Sequence, residues 1–434
     1  MEGQQMKTRM NDFGRKGWAI VIFVLFIYLF SSTAGDTLNV TAEFLAMHLG
    51  MDSGNALLMM FAIGGFLGVP VSLVFGLIVA KFKVKWPTVI LFFVYAVIWL
   101  VNGLATSFAL CAAMLILLSA ISNAVNLIST QQIMNNWFPK KKGIALGIST
   151  AGMPLSGAVM VFVFQRMILG TGISAPYYLM FAVCIVLALL TAFWFKNYPE
   201  EAGAFPDNEP ISDAQIAKNL EELDSYRSPF TVGRLFRTKQ FWQIVVIFSF
   251  LFIGLIGLLQ QMVPRLMAVG LDQTQSIGWL TIASIVGIPM SYVWGLIDQK
   301  VGTKPAVRTF ALLWTIMMIL SAVGSGLASL PISVVSVVFL SCMHGGMANL
   351  MPSMIIQVFG RFDFVAANKL VVPFVVGIRM SSLLIIPVML GMAGLGNETI
   401  GFRNVFLIFA VLAVIAFATA CAIKTDCIGK VAEE

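Results

Sequence analysis

The chain is poor in charge: Asp, Glu, Lys and Arg make up 11% of its 434 residues, against roughly 25% in a soluble domain. That scarcity excludes an ordinary water-soluble protein, because the apolar 59% exceeds what a soluble core absorbs and suits a bilayer instead. Histidine is equally sparse. His48 and His344 lie in different halves, with no nucleophile–base pair or ligand cluster around them, so an enzyme is not expected. Cys111, Cys184, Cys342, Cys421 and Cys427 include no CxxC pair, which speaks against a disulfide framework and a metal site. No GxxxxGK[ST] phosphate loop occurs, which excludes an ATP-driven pump, and no cofactor is expected. A cleavable signal is lacking too, since the apolar run from Trp18 outlasts a signal-peptide core and is expected to stay as a span.

What remains is long apolar runs of membrane-crossing length. Twelve are expected, near 17–45, 54–80, 87–106, 109–136, 142–167, 177–196, 240–265, 275–297, 305–328, 331–358, 365–391 and 402–423. They divide the chain into a six-helix bundle over 1–196, a solvated connector over 197–239 and a second six-helix bundle over 240–434. The fold class is an all-α membrane protein. The net charge of +7 lies mostly in short loops on alternate sides, so no nucleic-acid partner is implied. Only Arg166, Arg265 and Arg403 face the other way, and Arg379 lies inside a span. This bias places both termini and the connector in the cytoplasm of an inner, or cell, membrane.

The second half repeats the first. Residues 68–78 read GVPVSLVFGLI and residues 287–297 read GIPMSYVWGLI, with seven of eleven positions identical; Lys81 and Lys85 then match Lys300 and Lys304. Six spans separate the copies, so the halves run in the same direction, as parallel repeats about an axis along the membrane normal. Gly64, Gly68, Ser72 and Gly76 fall every fourth residue, as do Ala283, Gly287, Ser291 and Gly295. Such stripes let helix backbones approach closely, either in static packing or where two bundles slide.

On these residues the chain resembles the major facilitator superfamily over its whole length. The family's loop signature after the eighth span is present as Gly295, Asp298, Lys300, Gly302 and Lys304; after the second span Val79 and Lys83 replace the Asp and the Gly. The resemblance implies a conformational gate at Gly295, Asp298, Lys300, Gly76 and Lys81. Asn136-Trp137-Phe138-Pro139 with Lys140, Lys141, Lys142, Gly143, Ala145, Gly147 and Gly152, and Phe359-Gly360-Arg361-Phe362, are similar to the monocarboxylate and oxalate–formate porters. In those porters a cation on the eleventh span binds anions, and the eighth span usually adds an Arg, absent here between Ser276 and Ile297.

Ionisable groups inside the hydrocarbon are costly and mark function by default. Arg379, in the eleventh span, cannot shed its charge and needs an anion, carbonyls or water; it is expected either to bind a substrate carboxylate or to pair with Asp36. Asp36 is read as a proton site or as a carboxylate at the outer interface. Asn123 and Asn126 share a helix face and are candidates for substrate contact, as are Asn349 and Gln260. His344 is a candidate for substrate contact and proton relay. The expected function is secondary active transport of a small organic anion by alternating access, coupled to protons or to a counter-anion, in a lipid bilayer and as a monomer. Two alternatives stand beside it: a proton-driven exporter of amphipathic or cationic compounds, and a non-transporting membrane sensor.

Overall fold

The structure is a computed structural model describing residues 12–429 apart from 53, 211, 213–217, 219, 220, 222–224 and 395, and without the side chains of Asn39, Asn55, Ile256, Leu258, Leu259 and Gln260. Every regular element among the described residues is helical. The bilayer interior offers the backbone no hydrogen-bond partner, so a spanning chain satisfies its amides within each helix. The first half comprises α1 (Gly14–Asp36), α2 (Leu38–His48), α3 (Asn55–Phe82), α4 (Lys85–Gly103), α5 (Phe108–Ala124), a π turn (Val125–Ser129), α6 (Thr130–Trp137), α7 (Lys142–Thr150), α8 (Gly152–Thr171) and α9 (Ala175–Phe193). A short α10 (Val232–Arg237) precedes α11 (Lys239–Ala268), α12 (Gln273–Val301), α13 (Thr303–Gly326), α14 (Leu330–Arg379), α15 (Ser382–Ala393) and α16 (Glu398–Ala422).

The helices are apolar on both faces. On α4, Phe92, Ala96 and Trp99 are buried while Ile90 and Val97 are 63% and 54% exposed. Outward apolar faces of this kind are a liability in water and the normal surface in lipid. Ten helical stretches among the described residues are long and apolar enough to cross a membrane. The tenth and eleventh expected runs are joined as the two limbs of α14, and in α11 the apolar stretch Lys239–Leu255 is shorter. Gly360, at φ 75° and ψ 173°, reverses the chain between those limbs. An L-residue rarely adopts that φ.

The halves pack alike. In the first, α3 lies on α5 and α4 on α9; in the second, α12 lies on α14 and α13 on α16. The repeated stripe meets the corresponding helix in each: the place of a Cβ on Gly68 is 3.6 Å from the Ala120 backbone on α5, and that on Gly287 is 3.1 Å from the Ser341 carbonyl on α14. The end of the molecule carrying Lys83, Lys140 and Lys300 is called the basic end below.

At the basic end the halves are locked together. A Cβ on Gly295 would stand 2.9 Å from the Cα of Gly147, and Gly76 seats against Lys369. Lys142 Nζ donates to the Ser353 carbonyl at 3.0 Å, Gln299 Nε2 to the Lys140 carbonyl at 3.1 Å, and Arg361 to the Asn136 carbonyl at 2.8 Å. Toward the opposite end, α15 packs on α16 and α11 of its own half.

Candidate substrate site

The site forms where three helices depart from regular geometry. The fourth span carries a π turn, Val125–Ser129, immediately after Asn123 and Ala124. A π turn inserts one residue into the helical register and occurs frequently at functional sites. The first span breaks at Thr37, just after Asp36, and the eleventh breaks at Met380 and Ser381, just after Arg379.

Arg379 is 7% exposed. Its Nη2 donates to the Oδ1 of Asn123, across the boundary between the halves. The guanidinium carbon stands 5.4 Å from the centre of the Phe252 ring, a cation–π arrangement. Nε has no acceptor among the described residues, and no ion pair involves Arg379 among them. Asn123 is oriented by its own amide, which donates to the Ser119 carbonyl at 2.9 Å. Gly68 opposes it, with 3.0 Å between the Asn123 nitrogen and the place of a Cβ. The small residue of the repeat therefore makes room for the arginine's partner.

Of the two readings of Arg379, the pairing with Asp36 is not formed among the described residues. Asp36 lies at the end of α1 beside Ser156, its Oδ2 without a hydrogen bond among the described residues, while Thr33 Oγ1 meets Ser156 Oγ at 3.4 Å. Asn126 does not join Asn123 at the arginine. It accepts from Ser31 Oγ at 2.5 Å, because the π turn rotates it toward α1.

His344 lines a small hollow with Pro154, Met262, Leu280, Ser284 and Ser341, where the halves meet along α8 and α12. Asn349 is fully buried, and neither amide atom has a partner among the described residues. The side chain of Gln260 lies outside the described residues.

At the basic end, Gly295, Gly76 and Asp298 lie where the halves meet, with Asp298 4% exposed and its Oδ2 beside Gly143. Lys81 and Lys300 are exposed, and Lys81 lies over its neighbour Phe82. Among the described residues at this end, the cations whose side chains hydrogen-bond across to the other half are Lys142 and Arg361. The second of these sits 3.8 Å from Glu200, whose carboxyl side chain is fully covered.

The start of the connector, expected to be solvated, is a built clasp. Asp207 is 1% exposed and accepts the backbone amides of Lys141 and Lys140 at 2.6 and 2.9 Å. Burial pushes its carboxyl up to about 6 despite those bonds. Glu200 is likewise raised by burial, with Arg361 opposing. Arg265, expected as the last residue of the seventh run, is not the last residue of its helix. Helix α11 runs on through Pro264 to Ala268 and carries Arg265 into the bundle at 1% exposure.

The sequence model of the family described as Major Facilitator Superfamily matches residues 21–372. An oxalate:formate antiporter of Oxalobacter formigenes is 25% identical over 296 residues, 66% of this chain and 63% of that protein. The match thus spans less than two thirds of that relative's length. Among solved structures, the human organic anion transporter MFSD10 (TETRAN) superposes with a TM-score of 0.65 at 15% identity, over 91% of this chain and 98% of that one. The E. coli fucose:proton symporter FucP gives 0.63 at 14% identity, over 94% and 98%. At these identities the likeness to the solved structures is one of fold.

Proposed function

The chain belongs to the Major Facilitator Superfamily, a multi-pass membrane transporter and not an enzyme, and on that premise we propose that it moves a small organic anion of the carboxylate type by alternating access. The observation that carries this reading is Arg379, a permanent cation held by a neutral partner from the opposite half. A carboxylate offers the guanidinium a charge-assisted, two-pronged bond that an amide oxygen cannot match. The arriving anion displaces Asn123, and occupancy is thereby tied to the contact between the halves.

Coupling follows from the same charge. A bare guanidinium is costly to enclose in low dielectric, so reorientation favours the anion-loaded form, which is the logic of counter-anion exchange. Asp36 offers the alternative: a carboxylate near Ser156 that carries a proton in place of a second anion. The absence of an arginine on α12 between Ser276 and Ile297 favours a singly charged solute, or one carboxylate of a larger molecule. The basic end is the cytoplasmic one by the positive-inside rule, with both termini there and a monomer in the cell membrane. The halves are joined at that end, so the conformation is the one that opens outward. The first half's bundle, the connector and the second half's bundle then correspond to 1–196, 197–239 and 240–434.

A panel of organic acids tested for thermal stabilisation of the purified protein examines this reading, since a ligand of the folded state raises its stability. Formate and oxalate, the solutes named for the Oxalobacter relative, head the panel. Small carboxylates are expected to stabilise the wild type and not Arg379→Gln. Stabilisation by organic cations alone would favour the exporter of cationic compounds.

A further inference from the structure

Arg265 is the second buried arginine, and it does not face the boundary between the halves. It stands among α11, α13, α14 and α16 of the second half, with four serines around it. Nε donates to Ser325 Oγ at 3.3 Å, and Nη2 donates to Ser336 Oγ at 2.7 Å and to the Ser321 carbonyl at 3.5 Å. The ring of Phe406 covers one face at 4.6 Å. Ser321, Ser325, Ser333 and Ser336 are all at most 1% exposed.

Three donors in this cluster have no acceptor among the described residues: Arg265 Nη1, Ser321 Oγ and Ser333 Oγ. None of the ion pairs among the described residues involves Arg265. The helix ends supply only part of the missing charge. Arg265 lies in the last turn of α11, and the C-terminal ends of α11 and of α13, at Gly326, are partly negative, while the N-terminal end of α14, at Leu330, is partly positive. Partial charges of this size fall short of a full counter-ion. Phe406 contributes only a quadrupole. A full positive charge, buried with surplus donors and no counter-charge, asks for an anion.

Access also favours one. Arg403, one turn before Phe406 on α16, lies across Gly326, its Cδ 2.8 Å from the place of a Cβ. Arg403 is exposed, and its guanidinium bonds the neighbouring Asn404. An anion approaching the end of the molecule opposite the basic one meets Arg403 first and Arg265 beneath it.

We propose that Arg265, Ser321 and Ser333 form a second anion site, separate from Arg379, that holds a small monovalent inorganic anion of halide size. Three surplus donors on α11, α13 and α14 and an aromatic wall suit a small ion rather than a carbon chain, and its single charge balances the single guanidinium. The site lies wholly within one half, so it moves with that half as a rigid body. The ion is accordingly a resident of the fold and not the transported solute.

The test is the melting temperature of the purified full chain as sodium gluconate is replaced by sodium chloride or bromide at constant ionic strength. The proposal expects a saturable rise in the wild type. The rise should persist in Arg379→Gln, which removes the other buried arginine, and disappear in the double variant Ser321→Ala with Ser333→Ala. Removing two unpartnered hydroxyls leaves the fold intact, so the double variant in gluconate should melt at or above the wild type. A wild type with no saturable halide response overturns the proposal. So does a response that survives the double serine variant, or one lost in Arg379→Gln, which would place the halide at the substrate arginine.

Discussion

Arg379 and Asn123 are joined by a hydrogen bond that runs from one half of the molecule to the other. Under the proposed function, this is the bond that an arriving anion replaces.

Asn123→Ala removes the competitor. The guanidinium then meets the anion with Nη2 free, and the apparent dissociation constant for the preferred carboxylate is expected to fall several-fold, about 1 kcal/mol. Isothermal titration on the purified variant reads this directly. Weaker binding would mean that Asn123 itself touches the solute.

Gly295→Ala acts at the gate. The added methyl meets the backbone of Gly143 and Gly147, and overpacking of this kind costs about 1–3 kcal/mol. The cost falls on the state joined at the basic end, so the population shifts toward the state open there. A cysteine introduced by Gln299→Cys should label faster in the Gly295→Ala background. An unchanged rate would show that the contact is not part of the transition.

Arg361→Ala breaks the ion pair with Glu200 and the bond to the Asn136 carbonyl. Glu200 is left covered and uncompensated, so a loss on the order of 3 kcal/mol is expected. Glu200→Gln removes the charge along with the pair and should cost less. Comparing the two melting temperatures checks the order.

The clasp at Asp207 should respond to pH. Its carboxyl in the folded protein stands at about 6, above the ordinary 3.8, so the folded state binds more protons between those values. The contribution to stability is full below about pH 4 and is lost as pH rises through about 6. Melting temperatures of wild type and Asp207→Asn, measured from pH 4 to 8, should diverge between about pH 4 and 6, with the wild type losing more, and run parallel above. Curves parallel throughout would place the carboxyl outside that window.

The sequence carried the architecture because its signals are coarse and physical. Apolar length marks a span, a gapless repeat marks duplicated halves, and Arg379 stands out as a charge in an apolar run. Local geometry was another matter. Nothing in Val125-Asn126-Leu127-Ile128-Ser129 announces a π turn, and that turn sends Asn126 to Ser31 instead of to the arginine. Pro264 followed by Arg265 reads as a helix end, yet α11 continues through it. Asp207 and Glu200 look like solvated loop acids until the Lys140–Lys141 amides and Arg361 close over them. Lys81 and Lys300 fit the family's loop pattern, but the joining contacts fall to Lys142 and Arg361, which sequence spacing does not distinguish.

The most direct measurement is exchange of a labelled small carboxylate across sealed proteoliposomes, comparing wild type, Arg379→Lys and Arg379→Gln in equal amounts. Saturable exchange is expected in the wild type, reduced exchange with the single-point ammonium of Lys, and loss of at least two orders of magnitude with Gln, about 2.7 kcal/mol. Full exchange by Arg379→Gln would contradict the central role given to that guanidinium.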